Sequence, residues 1–512
     1  MHIKLNKEIP TGLNSDERTQ SESQVVRRQR VATVVLSAVF MSFLDVFIVN
    51  VALPSIARQF HEANLVRLSW VLNAYAIIFA ALLVPAGRWA DRLGRKRSFL
   101  LGLALFTGSS ALCAASVSTG TLIGARMLQA GGAAQLLPAA MGLLLPEFPP
   151  EKRSVAVALF AVVGGAAAGI GGPIGGVLTQ LGWHWVFLVN LPIGVVVLIA
   201  GLRVLREIRE SAQTPRPDLL GAVILSAAIG CLVLLIVKGP DWHWRTGSVG
   251  SFGIAALAFI LWFVARSRTH PAPVLEFAIL RVRSFSISNI GALLFAIAFS
   301  SMLLCSILFQ TQVWKSAPWL LGLQLAPGPL MAAAVAVPAG KLCARQGQRP
   351  VAFAGAVSFA LGAAWWFWRL GVEHHFFSAL LPGAILVGLG VGLNMPALSS
   401  AAIAGLPPER LSTGSAVQNM SRQIGMALGV AIVVAIAGQP AGADSMVQFR
   451  YSFVAMGVAA LGSGIASLAL ASGNLLANKG GNSDLLGKDT RRGPALQDNL
   501  GASPKDEAVL VA

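Results

Sequence analysis

Among the 22 acidic residues of this 512-residue chain, one stands where a carboxylate is costly. Asp45 lies deep in an apolar run that begins near Val31, whereas the other Asp and Glu residues fall in polar tails, between apolar runs or at their ends. An ionised carboxylate at such a place needs a partner, and one that alternates between a dry, charge-paired setting and a wet one takes up and releases a proton. Arg126 is the candidate partner. By helical rise, Asp45 sits roughly 10 Å, and Arg126 roughly 8 Å, below the same end of their respective runs. Asp45 therefore reads as a proton carrier and Arg126 as its cation. A static ion pair that only orders the fold is the plainer alternative.

A second polar group is spaced to share one helix face: Gln418, Asn419, Arg422 and Gln423. Together with Asn73, Gln129 and Asn394 these residues could line a substrate cavity; alternatively they form an interfacial stripe with Arg422 snorkelling to water. A cavity with a single deep acid suits neutral or anionic lipophilic molecules better than cations, because a buried dication needs compensating carboxylates. Between two apolar runs lies Gly87-Arg-Trp-Ala-Asp91-Arg92-Leu-Gly94-Arg95-Lys96-Arg97. Asp91, Arg92, Arg95 and Arg97, on a segment turned by Gly87 and Gly94, can bond helix ends and latch one conformation. The arginines also set topology. Further on, Gly165, Gly169, Gly172 and Gly176 recur at the spacing that lets helices approach closely, and Pro173 bends that helix. They suit either a moving seam or tight packing. Cys113, Cys231, Cys305 and Cys343 have no metal-type or redox-type spacing, and His374 and His375 occupy a short polar loop. No metal site and no cofactor is expected, and the absence of G-x-x-x-x-G-K-[ST] argues against ATP drive.

Positioning these residues requires a bilayer. The chain is 55% hydrophobic and 12% charged, against about 25% charged in ordinary soluble domains. It contains fourteen apolar runs of membrane-crossing length. A water-soluble enzyme is excluded, and an all-α polytopic membrane protein is implied. A membrane-embedded enzyme would need clustered nucleophiles or acids at one depth, which the sequence does not offer. The net charge of +17 resides mostly in short segments between spans, so no nucleic-acid partner is expected. With the N-terminus inside, only Arg58, Arg67, Lys238, Arg245, Lys315, Arg369 and Arg450 of the 39 basic residues fall outside. Both termini are therefore expected in the cytoplasm. Trp183, Trp185, Trp242, Trp244, Trp365, Trp366 and Trp368 fall at span ends, where interfacial anchors belong.

An internal repeat organises the spans. The Gly87 loop is echoed by Gly340-Lys-Leu-Cys-Ala344-Arg345-Gln-Gly347-Gln-Arg349, and Ala130, Gly132 and Pro138 by Gly388, Gly390 and Pro396. Arg126 maps to Ala384, and Asp45 to the apolar stretch around Phe295 to Ser300, so the charged pair exists in one half only. The expected division is a tail (1–30), a six-helix half (31–207), a linker with two extra spans (208–283), a second six-helix half (284–472) and a disordered tail (473–512).

From Val31 to Ala471 the chain resembles the major facilitator superfamily, in particular its fourteen-helix drug:proton antiporter family of the EmrB/QacA type. The Gly87–Arg97 loop matches the superfamily's loop signature, and Leu44-Asp45 with Val49-Asn50-Val51-Ala52-Leu53-Pro54 resembles the first-helix motif. Arg126-Met-Leu-Gln129-Ala-Gly131-Gly132 is similar to the fourth-helix motif, with Ala130 where glycine is usual. Gly169-Ile-Gly-Gly172-Pro173-Ile-Gly175-Gly176 resembles the antiporter motif. The stretch Trp183-His-Trp-Val-Phe-Leu-Val-Asn190-Leu-Pro192-Ile-Gly194 is similar to the family's junction of helices five and six, with His184 where arginine is common. Ala344 departs from the pattern and makes the second-half loop a poor latch. The resemblance implies a multi-pass protein of the inner (plasma) membrane that exports lipophilic small molecules or drugs by alternating access in exchange for protons. A dedicated exporter of one endogenous metabolite or antibiotic is the alternative. Expected partners are the small-molecule substrate, protons and lipid; a periplasmic adaptor and outer-membrane channel could extend the route.

Overall fold

The computed structural model describes residues 15–61, 65–149, 153–209, 216–244, 247–404, 406, 410–437 and 445–470. Among the described residues fourteen helices are long and apolar enough to cross a bilayer. They are α1 (Ser15–Gln59), α2 (Leu65–Leu93), α3 (Arg95–Ala114), α4 (Thr119–Leu144), α5 (Arg153–Leu181), α6 (Trp185–Val204) and α7 (Leu219–Lys238). The rest are α8 (Gly247–Thr269), α9 (Arg283–Gln312), α10 (Pro318–Gln346), α11 (Gln348–Arg369), α12 (Phe376–Ile403), α13 (Leu411–Ala437) and α14 (Ser445–Leu468). An even number of crossings puts Ser15 and Leu470 on one face, here the terminal face. The expected tail at 473–512 lies outside the described residues.

Two features differ instructively from the sequence reading. Helix α1 starts at Ser15, inside the stretch read as a tail, because the polar segment before Val31 is rich in helix formers and its helix is tethered. Arg27 pairs with Glu147 at 2.8 Å, and Arg28 lies over the Phe148 ring at 5.4 Å. The tryptophans divide. Trp185, Trp244 and Trp368 are exposed, as anchors should be, but Trp183 and Trp366 are buried. Each of those two buries its ring and still finds an acceptor for its indole N–H, Trp183 in Gln59 Oε1 at 2.7 Å and Trp366 in the Leu380 carbonyl at 3.0 Å.

The duplication is visible in backbone geometry. Helices α2 and α3 are joined through Gly94 and α10 and α11 through Gly347, both left-handed, with φ of 105° and 87°. A side chain is strained at either position. Close helix contacts repeat as well. A Cβ on Gly102 of α3 would come within 2.9 Å of the Gly132 carbonyl of α4, and one on Gly355 of α11 within 2.9 Å of the Gly390 carbonyl of α12. Glycine therefore sets the interaxial distance in both halves.

Between the halves, α2 packs on α13 and α5 on α10. Helix α7 leans against α2 and α13, while α8 packs mainly on α7 and buries little else. These two helices are tied together by Asp218, which caps α7 by accepting from the Gly221 N–H at 2.8 Å and receives Arg266 of α8 at 2.7 Å. The extra pair is thus an appendage to the two six-helix units.

Candidate functional site

Asp45 projects from α1 into the space between α3, α4 and α6, fully buried. Its Oδ2 accepts from Arg126 Nη1 at 2.5 Å, and its Oδ1 accepts from Gln129 Nε2 and from Asn190 Nδ2, each at 2.9 Å. The equal depth inferred from helical rise is thus realised as a direct ion pair. Arg126, on α4, is held from several sides: Nη1 also donates to Gln129 Oε1 at 2.6 Å, Nε to the Val71 carbonyl at 3.4 Å, and Tyr75 presents its ring 4.1 Å from the guanidinium carbon. Ser110 of α3 accepts from Gln129 at 2.7 Å and from Asn190 at 3.3 Å. A charge pair this far from water is tolerable only when it is further hydrogen-bonded, and here both carboxylate oxygens accept and the guanidinium donates through Nη1 and Nε.

Arg126 and Tyr75 also border a narrow cleft between the two halves. Its first-half wall adds Val46, Asn50, Leu72 and Asn73; its second-half wall is Ser300 and Leu303 of α9 with Gln423, Met426 and Val430 of α13. Neither side-chain polar atom of Asn73, which is fully buried, finds a hydrogen bond within the protein. The network around Asp45 therefore touches the cleft through Arg126. Whatever displaces that guanidinium changes the environment of the carboxylate behind it.

The expected polar residues separate into several places. Asn73 and Gln423 line the cleft, while Gln129 belongs to the network around Asp45. Asn394, Gln418 and Arg422 border a second, smaller cavity among α9, α12 and α13. Asn419 is exposed and donates to the Ser415 carbonyl at 3.1 Å. Successive residues turn by about 100° on a helix, so the pairs 418/422 and 419/423 occupy adjacent faces rather than one.

The segment expected as a charged loop is the end of α2 and the start of α3, turned at Gly94 alone with Gly87 inside α2, and it clasps neighbouring helix ends. Arg95 bridges the Asp91 carboxylate at 3.2 Å and the Gly142 carbonyl near the end of α4 at 2.9 Å. Glu207, beyond α6, accepts from the Lys96 backbone N–H at 3.0 Å and pairs with Arg97 at 3.7 Å. Arg88 pairs with Glu276 at 2.5 Å and donates to the Pro273 carbonyl at 2.6 Å, which ties the loop to the segment after α8. Arg92 is exposed, and Gly87 lies near Pro138 of α4. On α5, Gly169 faces Leu330 of α10, a Cβ on Gly172 would sit 2.9 Å from the Gly322 carbonyl, and Pro173 lies against Gly322. A Cβ on Gly176 would sit 2.5 Å from the Pro318 carbonyl. The glycine face of α5 is thus the seam between the halves, closest at the end away from the terminal face.

Several contributors to the site, Tyr75 among them, were not assigned a role from sequence. Asn190 lies inside the junction segment already singled out, and a lone amide preceding an apolar run was its signal. Ser110 had only its polarity within an apolar run, and the Val71 carbonyl has no signature at all. Among the described residues no cluster of His, Cys, Asp and Glu is placed to hold a metal.

Two six-helix units related by duplication, meeting across a cleft with a buried ion pair at its wall, define a membrane transporter. Comparison with known proteins agrees. The sequence model of the Major Facilitator Superfamily matches residues 35–430 and 294–495. The chain is 30% identical over 399 residues to an uncharacterized MFS-type transporter, EfpA, of Mycobacterium tuberculosis, covering 77% of this chain and 74% of that one. It is 31% identical over 398 residues to the tetracenomycin C resistance and export protein of Streptomyces glaucescens, covering 77% and 73%. Its fold is similar to that of a bacterial homologue of the human lysosomal transporter Spinster, solved inward-facing and unoccupied, with a TM-score of 0.60, 16% identity, and coverage of 87% and 98%. The chain belongs to the Major Facilitator Superfamily and is a multi-pass membrane transporter, not an enzyme.

Proposed function

We propose that this protein exports lipophilic small molecules from the cytoplasm across the inner (plasma) membrane by alternating access, each cycle driven by a proton that Asp45 carries inward. The observation that carries the reading is the Asp45–Arg126 pair, buried in one half and in contact with the cleft between both. A relative named for resistance to and export of tetracenomycin C supports the direction of transport. In this scheme the terminal face is cytoplasmic, and the divisions at 31–207, 208–283 and 284–472 are the moving halves and their linker. Substrate entering the cleft meets Arg126 before Asp45, so binding loosens the ion pair and readies the carboxylate for protonation; the neutral acid then permits the rearrangement. Asn73 and Gln423 supply adaptable hydrogen bonds in an otherwise apolar wall. The α5 glycine seam holds the halves together away from the terminal face, while the Gly87–Arg97 clasp ties helix ends of the first half to one another and to the linker. A periplasmic adaptor with an outer-membrane channel would carry the product further, though export across the inner membrane does not require it.

The test is transport in proteoliposomes under an imposed pH gradient. Asp45→Asn keeps size and hydrogen-bonding capacity but cannot titrate, so it should still bind and exchange substrate while losing gradient-driven accumulation. Accumulation at the wild-type rate would remove Asp45 as carrier. Drug susceptibility across a panel of amphipathic compounds separates a broad exporter from one dedicated to a single metabolite or antibiotic.

A further inference from the structure

The second cavity contains a charge without a counter-charge. Arg422 lies roughly 16 Å along α13 from Leu411, well within the span. Among the described residues no carboxylate pairs with it, and the hydrogen bond it makes goes from Nη2 to Met395 Sδ at 3.3 Å, a weak acceptor. Asp45 is already committed to Arg126, in the other half. Beside Arg422 on the cavity wall stand Gln418, nine-tenths buried with Nε2 making no hydrogen bond, and fully buried Asn394, whose Nδ2 donates to the Ala352 carbonyl while Oδ1 makes none. The wall is completed by apolar groups, among them Phe295, Met395 and Leu398.

An unpaired cation inside a membrane protein is costly, and buried amide groups without partners add to that cost. Guanidinium presents a planar fork matched to oxyanions, and Gln418 Nε2 adds a neutral donor to the same space. Asn394 Oδ1 is an acceptor, suited to a hydroxyl or amide N–H next to the acidic group. Phe295 and Leu398 offer surface to an apolar body. We infer that this cavity is a recognition subsite for the acidic oxygen group, carboxylate or phenolate, of an amphipathic organic anion, with Arg422 as its counter-ion. The inference rests on the transport reading above and adds a charge class to it: the missing counter-charge of the second half arrives with the substrate. A phospholipid phosphate shares the oxyanion chemistry, and the test distinguishes the two.

The probe pair is naphthaleneacetate and its uncharged isostere naphthaleneacetamide, added to full-length protein in phosphatidylcholine proteoliposomes. Ser399 lines the cavity, so Ser399→Cys, in a chain with its four native cysteines replaced, reports occupancy through its rate of alkylation by N-ethylmaleimide. The acid should slow alkylation about tenfold more effectively than the amide, the difference expected for a hydrogen bond to a charged group. Arg422→Gln should abolish the distinction, and Arg422→Lys should retain part of it. Equal protection by acid and amide overturns the proposal, as does undiminished selectivity in Arg422→Gln. Protection by phosphatidylglycerol vesicles with none from the acid would assign the cavity to lipid instead. The acid-to-amide comparison needs no Arg422 variant, so it stands even if that variant does not fold. Protection without any gradient-driven movement of the acid would sink the transport reading and leave the subsite intact.

Discussion

Repeat-related positions in the two halves hold opposite chemistry. In the first half, α4 presents Arg126 and Gln129 to Asp45, and α3 backs Gln129 with Ser110 and Cys113. At the corresponding places α11 and α12 present Ala363, Trp366, Ala384 and Val387, all buried, and the stretch of α9 matching Asp45 contributes Phe295, which meets Phe359 edge to face at 5.3 Å. One scaffold, with the same glycine contacts and the same left-handed turn, thus carries a charged network on one side and an aromatic and aliphatic core on the other. Duplication conserves the backbone geometry that packing demands and leaves the side chains at one depth free to diverge. In the proposed cycle the proton step is accordingly confined to one half.

This contrast is broken most severely at Arg126. Arg126→Ala leaves a buried carboxylate without its cation and should cost about 3–5 kcal/mol, whereas Ala384→Ser at the matching position adds a hydroxyl able to bond its own helix and should cost less than about 1 kcal/mol. Thermal unfolding of the two purified variants measures the difference; similar losses would mean that the network is not what holds the first half. Replacing both charges, Asp45→Asn with Arg126→Met, should recover much of the stability and none of the proton coupling. A double variant that is stable and still accumulates substrate against a pH gradient would refute a functional role for the pair and leave the purely structural one.

Asn190 gives the next largest effect and sharpens the comparison, because it reaches Asp45 from outside the α3–α4 pair. Asn190→Ala removes a neutral donor from a carboxylate, a change worth about 1.5–3 kcal/mol between its charged and neutral forms. The pH dependence of transport should move, with the substrate concentration at half-maximal rate unchanged. An effect on substrate affinity alone would place Asn190 in substrate binding.

A third effect belongs to the seam. At Gly176 a methyl group would press on the Pro318 backbone at 2.5 Å, while at Gly169 it would meet only the end of the Leu330 side chain at 3.5 Å. Gly176→Ala should therefore cost about 1–3 kcal/mol in the state with that end closed, and Gly169→Ala much less. Turnover measured in vesicles should fall for the first variant and barely change for the second; equal slowing would show that the whole glycine face, rather than its end away from the terminal face, controls the closure.

How much of this was legible beforehand follows from the kind of signal each feature leaves. Apolar runs are long and their lengths are dictated by the bilayer, so all fourteen spans could be read; Ser15 as the start of α1 could not, because a polar helix outside the membrane has no hydropathy signature. Asp45 and Arg126 were conspicuous because charge is rare at depth. Asn190 and Ser110 are small polar residues of the kind that often bond their own helix, and only the fold shows that they turn inward together. Trp183 and Trp366 misled for the opposite reason: position at a span end suits an anchor, but both rings face protein.

The smallest predicted effect tests the division of the α13 stripe. Gln423 faces the cleft opposite Asn73, whereas Asn419, one turn earlier, is exposed and already bonded to the Ser415 carbonyl. Asn419→Ala removes a contact made within one exposed helix turn, and substitutions of that kind usually stay within about 0.5 kcal/mol. Gln423→Ala enlarges the cleft and takes away one of its few polar groups, so fold stability should hardly change while the relative rates for neutral amphipaths of different size and polarity should be reordered. Export of such a series by both variants, compared with the parent protein, decides the matter: unchanged ranking in Asn419→Ala and altered ranking in Gln423→Ala supports a cleft that selects through its second-half wall. If Asn419→Ala is the variant that changes the ranking, the helix turns during the cycle, and the face exposed in this structure enters the pathway in another.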